Sequence, residues 1–392
     1  MIKGENIICI SNTSWFGNYA KSTVQILERL AVHNNVLFIE YPFSAKDILA
    51  TLQGKQNAPY KRMLGMDKRL QQIDTNVGSK VYDLVIPPVL PIYFLKNEKV
   101  FNLLFKINTL IYKRAVKKAI KQLNITNPIV ITAYNPFYGL SLLNKLNEKT
   151  NIYYCYDGVE AGFFGKRIFD FENEFSKKVN GIITTSDFLN AEKLKVNPKS
   201  FVVKNGVDYP VFEPFAKKDI YTTNRKKVGY IGSLDGRFDI DTMENAVQKL
   251  ANFDFEFTGD LMNVKVKQRL EKYPNVSFHL PINQNDVPKL LATYDVGIIP
   301  YLVNDVNKNI YPLKINEYLA VGVPLVMTPF ADLPDFDGIV SVSKNSNDFV
   351  EKLKFETQND SAEKIRVRTE FAKSNSWDAR TESFSEILER FI

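Results

Sequence analysis

Histidine and cysteine are nearly missing from this 392-residue chain, with two of each. His33 and His279 lie far apart in the sequence, which excludes a histidine-rich metal site. Cys9 and Cys155 each sit in an apolar, strand-like run, which favours buried thiols over a disulfide or a metal site. Such cysteine usage suits a reducing compartment, and a cytoplasmic protein is the expectation. No run reaches the ~18 apolar residues of a membrane-spanning helix, and the opening MIKGENIICISN lacks the apolar stretch of a signal peptide. The expected chain therefore neither spans a membrane nor is exported. Internal repeats and low-complexity tracts are lacking as well.

Acidic residues are scarce in one region. Residues 51–150 hold 16 Lys and Arg against 5 Asp and Glu. Residues 1–200 hold 27 against 16, whereas residues 201–392 hold 24 against 28. A basic first half implies a polyanionic partner: nucleic acid, a membrane surface or lipid phosphate. Within it, Lys99 to Leu123 is helical and amphipathic. Phe101, Leu104, Phe105 and Leu110 are apolar; Lys106, Lys113, Arg114, Lys117, Lys118 and Lys121 are basic. This fits an interfacial helix on anionic lipid and, equally, a core-packed helix with a solvated basic face. Nucleic acid is disfavoured because no recognised binding module accompanies the charge.

What remains is ordinary for a soluble globular protein: 45% hydrophobic and 24% charged residues. The length suits two domains of ~150–200 residues. Asn6 to Ser11 reads as a buried first strand, followed by the turn Asn12–Asn18 and a helix from about Ala20 to Val32. Val36 to Ile39 is the second strand. This is a βαβ unit, and it implies a parallel, doubly wound sheet. Ligands gather at the carboxyl ends of such strands. That rule places Trp15, Phe16 and Gly17 at a cleft, together with Asn135, which follows the strand Pro128–Ala133. Residues 43–127 are less regular, and Pro87 to Leu95 reads as a loop. Asn151 to Tyr156 is a further strand, ending in Asp157-Gly158-Val159-Glu160. Asp157 and Glu160 are the candidate catalytic carboxylates, although Asp-Gly is also ordinary turn chemistry. Gly181 to Ser186 completes the strands of this half. Its Thr-Thr-Ser end either caps the next helix or presents hydroxyls.

After the polar linker Ala216–Lys227, Val228 restarts the pattern. VGYIGSLDG is a strand running into a loop with Gly229, Gly232 and Gly236, where backbone N–H groups at Gly232 and Ser233 can approach a phosphate. Arg237 is placed to act as a phosphate cation or to face solvent. Phe255–Gly259, Val276–Leu280 and Asp295–Tyr301 are strands. Asp239 and Asp241 form a D-x-D pair that reads as loop and capping chemistry.

Tyr311 to Pro329, YPLKINEYLAVGVPLVMTP, carries the most information. Pro312 suits the first position of a helix over Leu313–Ala320, Gly322 stops it, and a strand Val323–Thr328 follows. Lys314 stands in the first turn, where the helix dipole disfavours a cation. An anion at the helix N-terminus would justify it. Glu317 lies one turn on, on the same side. A cation for phosphate and a carboxylate for sugar hydroxyls suit a nucleotide-sugar site, whereas a surface Lys–Glu pair is the plain alternative.

The order K-x-x-E-Y-L-A-x-G-x-P resembles the C-terminal signature of GT-B glycosyltransferases, in particular family 4-like enzymes that build bacterial envelope polysaccharides of the teichuronic-acid type. The resemblance implies that Glu317 binds the nucleotide ribose and Lys314 the diphosphate. It places Asn309, Tyr311, Pro312 and Leu313 near the donor sugar. The family often has a glutamate eight residues before Glu317, and here that position is Asn309. Neither histidine stands at the first-domain position the family often uses. Asn205-Gly206-Val207-Asp208 is similar to the family's crossing point, and Trp377 with its following helix to the tail that returns to the first domain.

The fold implied is α/β, GT-B: two Rossmann-like domains facing across a cleft. The first, 1–210 with the tail 376–392, would bind the acceptor; the second, 225–375, the nucleotide-sugar. The implied activity is a metal-independent, retaining hexosyl transfer from a UDP- or GDP-linked sugar, with no cofactor. The acceptor would be a saccharide or polyprenyl-linked hydroxyl at the inner face of the cell membrane. Asp157 would serve as general base or acceptor-orienting group. A nucleotide-sugar 2-epimerase of the same fold and a non-catalytic scaffold are the alternatives.

Overall fold

The computed structural model describes residues 1–17, 21–159, 165–220 and 225–392. The chain divides into two compact units, residues 1–204 with 381–392, and residues 205–380. The boundary differs from that read from sequence because residues 205–220 are bonded into the second unit. Val207 N–H donates to Asn375 O (3.1 Å), Lys217 N–H to Val321 O (3.1 Å), and Asn205 Nδ2 to Tyr311 O (2.8 Å). The return to the first unit falls inside the helix Trp377–Glu389 rather than at residue 376.

The first unit holds an eight-stranded sheet: β1 (Asn6–Ser11), β2 (Asn35–Ile39), β3 (Leu70–Asp74), β4 (Lys80–Leu84), β5 (Ile129–Ala133), β6 (Thr150–Cys155), β7 (Gly181–Thr184) and β8 (Ser200–Val202). Their order is β3-β4-β2-β1-β5-β6-β7-β8, parallel throughout except for β3. The β3–β4 hairpin is absent from the sequence reading. β3 is a polar edge strand, LQQID, with no fully buried residue, so it shows none of the apolar signal that marks the inner strands. Hydrophobic residues of β1 and β2, among them Ile8, Ile10, Leu37 and Ile39, form a core with Phe101, Phe105, Tyr112 and Val116 of the long helix Glu98–Gln122. One face of that helix is therefore core. Leu110, taken from the pattern as part of the apolar side, stands on the other face at 51% exposure. Phe384 meets Tyr154 edge-on with centroids 5.4 Å apart, and Phe391 covers Gly181, so residues 381–392 close this unit. Both cysteines are free and buried.

The second unit holds β9 (Lys226–Ile231), β10 (Phe253–Thr258), β11 (Val276–His279), β12 (Val296–Ile299), β13 (Leu325–Met327) and β14 (Ser341–Val342), all parallel, in the order β11-β10-β9-β12-β13-β14. This is the 3-2-1-4-5-6 order of doubly wound nucleotide-binding sheets, whose switch point lies between the first and fourth strands. Here that point is between β9 and β12, where Gly229 pairs with Gly297. In the first unit the corresponding point is between β1 and β5. No helix among the described residues is long and apolar enough to cross a membrane.

Candidate functional site

In the second unit, two glycines let a helix settle onto the switch point. Tyr294 fills the space beside Gly229, where a Cβ would come within 2.0 Å of its ring; Tyr318 does the same at Gly297, at 2.4 Å. The Tyr318 hydroxyl then accepts from Ile231 N–H (3.1 Å) and donates to Gly229 O (3.0 Å). Helix Leu313–Ala320 is thereby stitched to the end of β9. Pro312 is its N-cap, one position before that expected, and Gly322 follows its end at φ +75°.

Lys314 lies in the first turn, as the sequence requires. Its ammonium is 3.3 Å from the Tyr230 hydroxyl, 4.4 Å above the Tyr230 ring and 5.4 Å from that of Tyr301. The two ring faces supply the negative potential that a helix N-terminus denies a cation. Gly232 takes φ +138°, and a Cβ there would fall 2.3 Å from Lys314 Nζ. Of the three loop glycines read as phosphate-binding, only Gly232 faces the amine. Gly229 serves packing, and Gly236 has open space around it. Burial acts to raise the pKa of the Tyr301 hydroxyl, but Lys314 and Arg237 outweigh it and draw it below the ordinary tyrosine value.

Arg237 does not reach out freely. Its guanidinium forks onto Asp235, with Nη2–Oδ2 2.6 Å and Nε–Oδ1 3.0 Å, and lies 5.4 Å from the Tyr301 ring. Burial raises the Asp235 pKa, yet Arg237 and then Lys314 bring it below the usual carboxylate range. The Ser233 carbonyl accepts from the Tyr230 hydroxyl (2.9 Å). Glu317 is half-buried and makes no hydrogen bond or ion pair with any described residue. Burial pushes its carboxyl up to about 7, against the pull of Lys314. Asn309 uses its amide locally, donating to Asp305 O (3.0 Å). Tyr311 is buried against Phe336, and Leu313 is half-buried.

In the first unit, the predicted acceptor residues collect at the ends of β1 and β5, but most serve the scaffold. Trp15 is buried edge-on to Phe38, and its backbone N–H donates to Glu40 Oε1 (2.8 Å). Asn135 caps the helix Pro136–Leu142 and donates to Ser11 O (2.9 Å). Gly17 packs on the Lys21 ammonium, and Phe16 is 58% exposed. Asp157 is exposed just beyond β6, and its Oδ1 accepts from Gly158 N–H (2.8 Å). Glu160 lies outside the described residues. Glu40 and Asp83 are buried side by side, and neither stands out along the chain as a functional residue. Burial raises both carboxyls, Arg62 counters this at Asp83 (2.6 Å), and Glu40 is pushed up to about 8.

Tyr230 and Tyr301 were missed because adjacency of β9 and β12 is not visible along the chain, and Asp235 because it was read only as part of the glycine loop. Asp239 caps the helix Ile240–Lys249, as expected of the D-x-D pair.

With two parallel α/β sheets of this order and a nucleotide-type switch point on β9, the fold is GT-B. Residues 225–356 match the family model described as "Glycosyl transferases group 1". The fold is thus shared with GT-B proteins, and the glycosyl transferase match lies within the second unit. It is 29% identical over 215 residues to a Bacillus subtilis (strain 168) protein named "Putative teichuronic acid biosynthesis glycosyltransferase TuaH". That match covers 49% of this chain and about half, 54%, of the relative. Sucrose-phosphate synthase from Thermosynechococcus elongatus superposes with a TM-score of 0.71 at 13% identity, covering 99% of both chains. The E. coli trehalose-6-phosphate structure bound with UDP-2-fluoro glucose gives 0.68 at 10% identity, covering 98% of this chain and 99% of that one.

Proposed function

We propose that this protein transfers a hexose from a UDP- or GDP-linked donor to a hydroxyl on a saccharide or polyprenyl-linked acceptor, in cell-envelope or exopolysaccharide synthesis. The observation that carries this reading is the pairing of Lys314 over Gly232 with the unpartnered carboxylate of Glu317 one turn on, at the switch point of the second sheet. The Gly232 N–H, expected to face a phosphate, donates instead to Thr258 O (2.9 Å) within the sheet, so Lys314 and the Ser233 amide would hold the diphosphate. They would neutralise it as it departs, the largest electrostatic demand of the step. Arg237, fixed by Asp235, would add a second cation, so that these two side chains supply the charge a divalent metal could otherwise bring. Glu317 would accept hydrogen bonds from the ribose hydroxyls.

The acceptor would bind at the carboxyl ends of the first unit's strands, near Phe16, with Asp157 orienting or deprotonating its hydroxyl. The resemblance of the Lys314–Glu317 signature to that of retaining enzymes supports retention at the transferred carbon. The teichuronic acid biosynthesis named for the Bacillus subtilis relative supports an envelope role, and the cations of residues 51–150 support peripheral attachment to the anionic inner face of the membrane. The test is a thermal-shift panel of UDP, GDP, ADP, dTDP and CMP, followed by mass spectrometry of products formed from the sugars of whichever stabilises. Stabilisation by a nucleoside diphosphate and transfer from its sugar are expected. Epimerisation of the donor without transfer would overturn the reading, as would failure of every nucleotide to bind.

A further inference from the structure

The solvent face of the helix Glu98–Gln122 changes character along its length. Val100, Leu103, Ile107 and Leu110 recur at three- and four-residue spacing and are all more than 40% exposed. The same stripe continues through Arg114, Lys117, Lys118 and Lys121, all exposed. Beside this cationic half lies a cavity of about 780 Å³ in the first unit, lined by Arg114 and Lys118 from the helix and by Lys68 and Arg69 from the segment before β3. None of these four forms an ion pair with any described residue, and Asp67 is the one carboxylate on the lining. The floor is apolar, built from Leu70, Leu84, Ile111 and Leu123. On the other side of the helix a smaller cavity carries Lys117, Lys121 and Lys145.

Cations around an apolar floor, continuous with an exposed apolar stripe, demand a ligand that is anionic at one end and hydrocarbon at the other. We propose that this cavity holds the phosphate headgroup of a single anionic lipid, while Leu103, Ile107 and Leu110 rest among the neighbouring acyl chains. A free phosphate would leave the floor uncovered. Nucleic acid would want aromatic platforms, and no aromatic residue lines the cavity. Every residue of this site belongs to the first unit, whereas Lys314, Glu317 and Gly232 belong to the second. The assignment rests on the peripheral-membrane part of the proposed function and narrows it to one location.

The experiment is co-sedimentation of the full chain with vesicles of phosphatidylcholine alone or with 30% phosphatidylglycerol, at low and high salt. Two charge-matched variants are compared, Arg114→Gln/Lys118→Gln at the cavity and Lys117→Gln/Lys121→Gln beside it. All four positions are exposed, so both variants should fold, and unchanged thermal denaturation checks this. The expected result is salt-sensitive binding to phosphatidylglycerol vesicles, weakened at least about 10-fold by the cavity pair and no more than about 3-fold by the other. Equal weakening by both pairs would overturn the headgroup site and leave diffuse attraction to the membrane standing. Failure of the parent to bind anionic vesicles at all would overturn both. Release of the bound protein by single-stranded RNA, with the same dependence on Arg114 and Lys118, would show a nucleic-acid surface instead.

Discussion

The Lys314 ammonium occupies the space that a Cβ on Gly232 would need, 2.3 Å from where that carbon would stand. Gly232 is thus required twice, for its φ of +138° and for its missing side chain. Gly232→Ala should cost roughly 1–3 kcal/mol in backbone strain and push the flexible end of Lys314 aside. Nucleotide affinity should then fall to about the level of Lys314→Ala, while the fold survives. Calorimetry and thermal denaturation on both variants check this. Full nucleotide affinity in folded Gly232→Ala would show that Lys314 does not act from its position over the turn.

Buried apolar strands were legible as continuous apolar runs, and the helix Leu313–Ala320 from the Pro312 at its start and the Gly322 that stops it. NIICIS and the long amphipathic helix from Glu98 were found to within a residue or two. The hairpin β3–β4 was not, because a polar edge strand buries too little to leave a pattern. At the site, Lys314 could be singled out because it contradicts the helix dipole, a local anomaly that needs no tertiary knowledge. Tyr230 and Tyr301 contradict nothing locally. They become a cation seat only when the sheet order sets β12 beside β9. Glu40 was passed over for the same reason, since its partner Asp83 arrives from a strand that went unread.

Glu40 and Asp83 make a pH-dependent contribution in the first unit. Burial, followed by the Asp83 charge, pushes Glu40 up to about 8, so the folded state favours the protonated form. A carboxyl raised on folding stabilises fully below its ordinary pKa, and that stabilisation is lost as pH rises through the folded value. Glu40→Gln keeps an uncharged side chain at the Trp15 amide and removes the titration. Its stability relative to the parent should improve from pH 5 to pH 8, by at most about 1.4 kcal/mol per pH unit. Denaturant melts across that range measure it. A parallel pH dependence in parent and variant would place the proton elsewhere.

Asp157→Asn preserves an acceptor for the Gly158 amide and removes basicity. Turnover should fall by about 10²–10⁴-fold with little change in nucleotide affinity. Steady-state kinetics with the identified donor, beside calorimetry, separate the two. An unchanged turnover would reduce Asp157 to a turn residue and pass the role to Glu160.

Because its carboxyl stands near 7, Glu317 should give nucleotide binding a pH dependence of its own. The charged form is the better acceptor for ribose hydroxyls, so binding should release protons near pH 7. Calorimetry of parent and Glu317→Gln in buffers of differing ionisation enthalpy reads that release. The nucleotide's own titration is common to both, so equal proton release would mean that Glu317 does not meet the ligand.

The most direct measurement is the affinity of the preferred nucleoside diphosphate for the parent, Lys314→Ala and Glu317→Gln. Charge-assisted hydrogen bonds contribute about 1.5–3 kcal/mol, so Glu317→Gln should weaken binding by about 10–100-fold. Lys314→Ala should weaken it as well, and should also lower turnover, because the diphosphate carries most charge as it leaves. A surface Lys–Glu pair would change stability by at most about 1 kcal/mol and leave binding untouched. Unchanged affinity in both variants would contradict the assignment of this helix as the donor site.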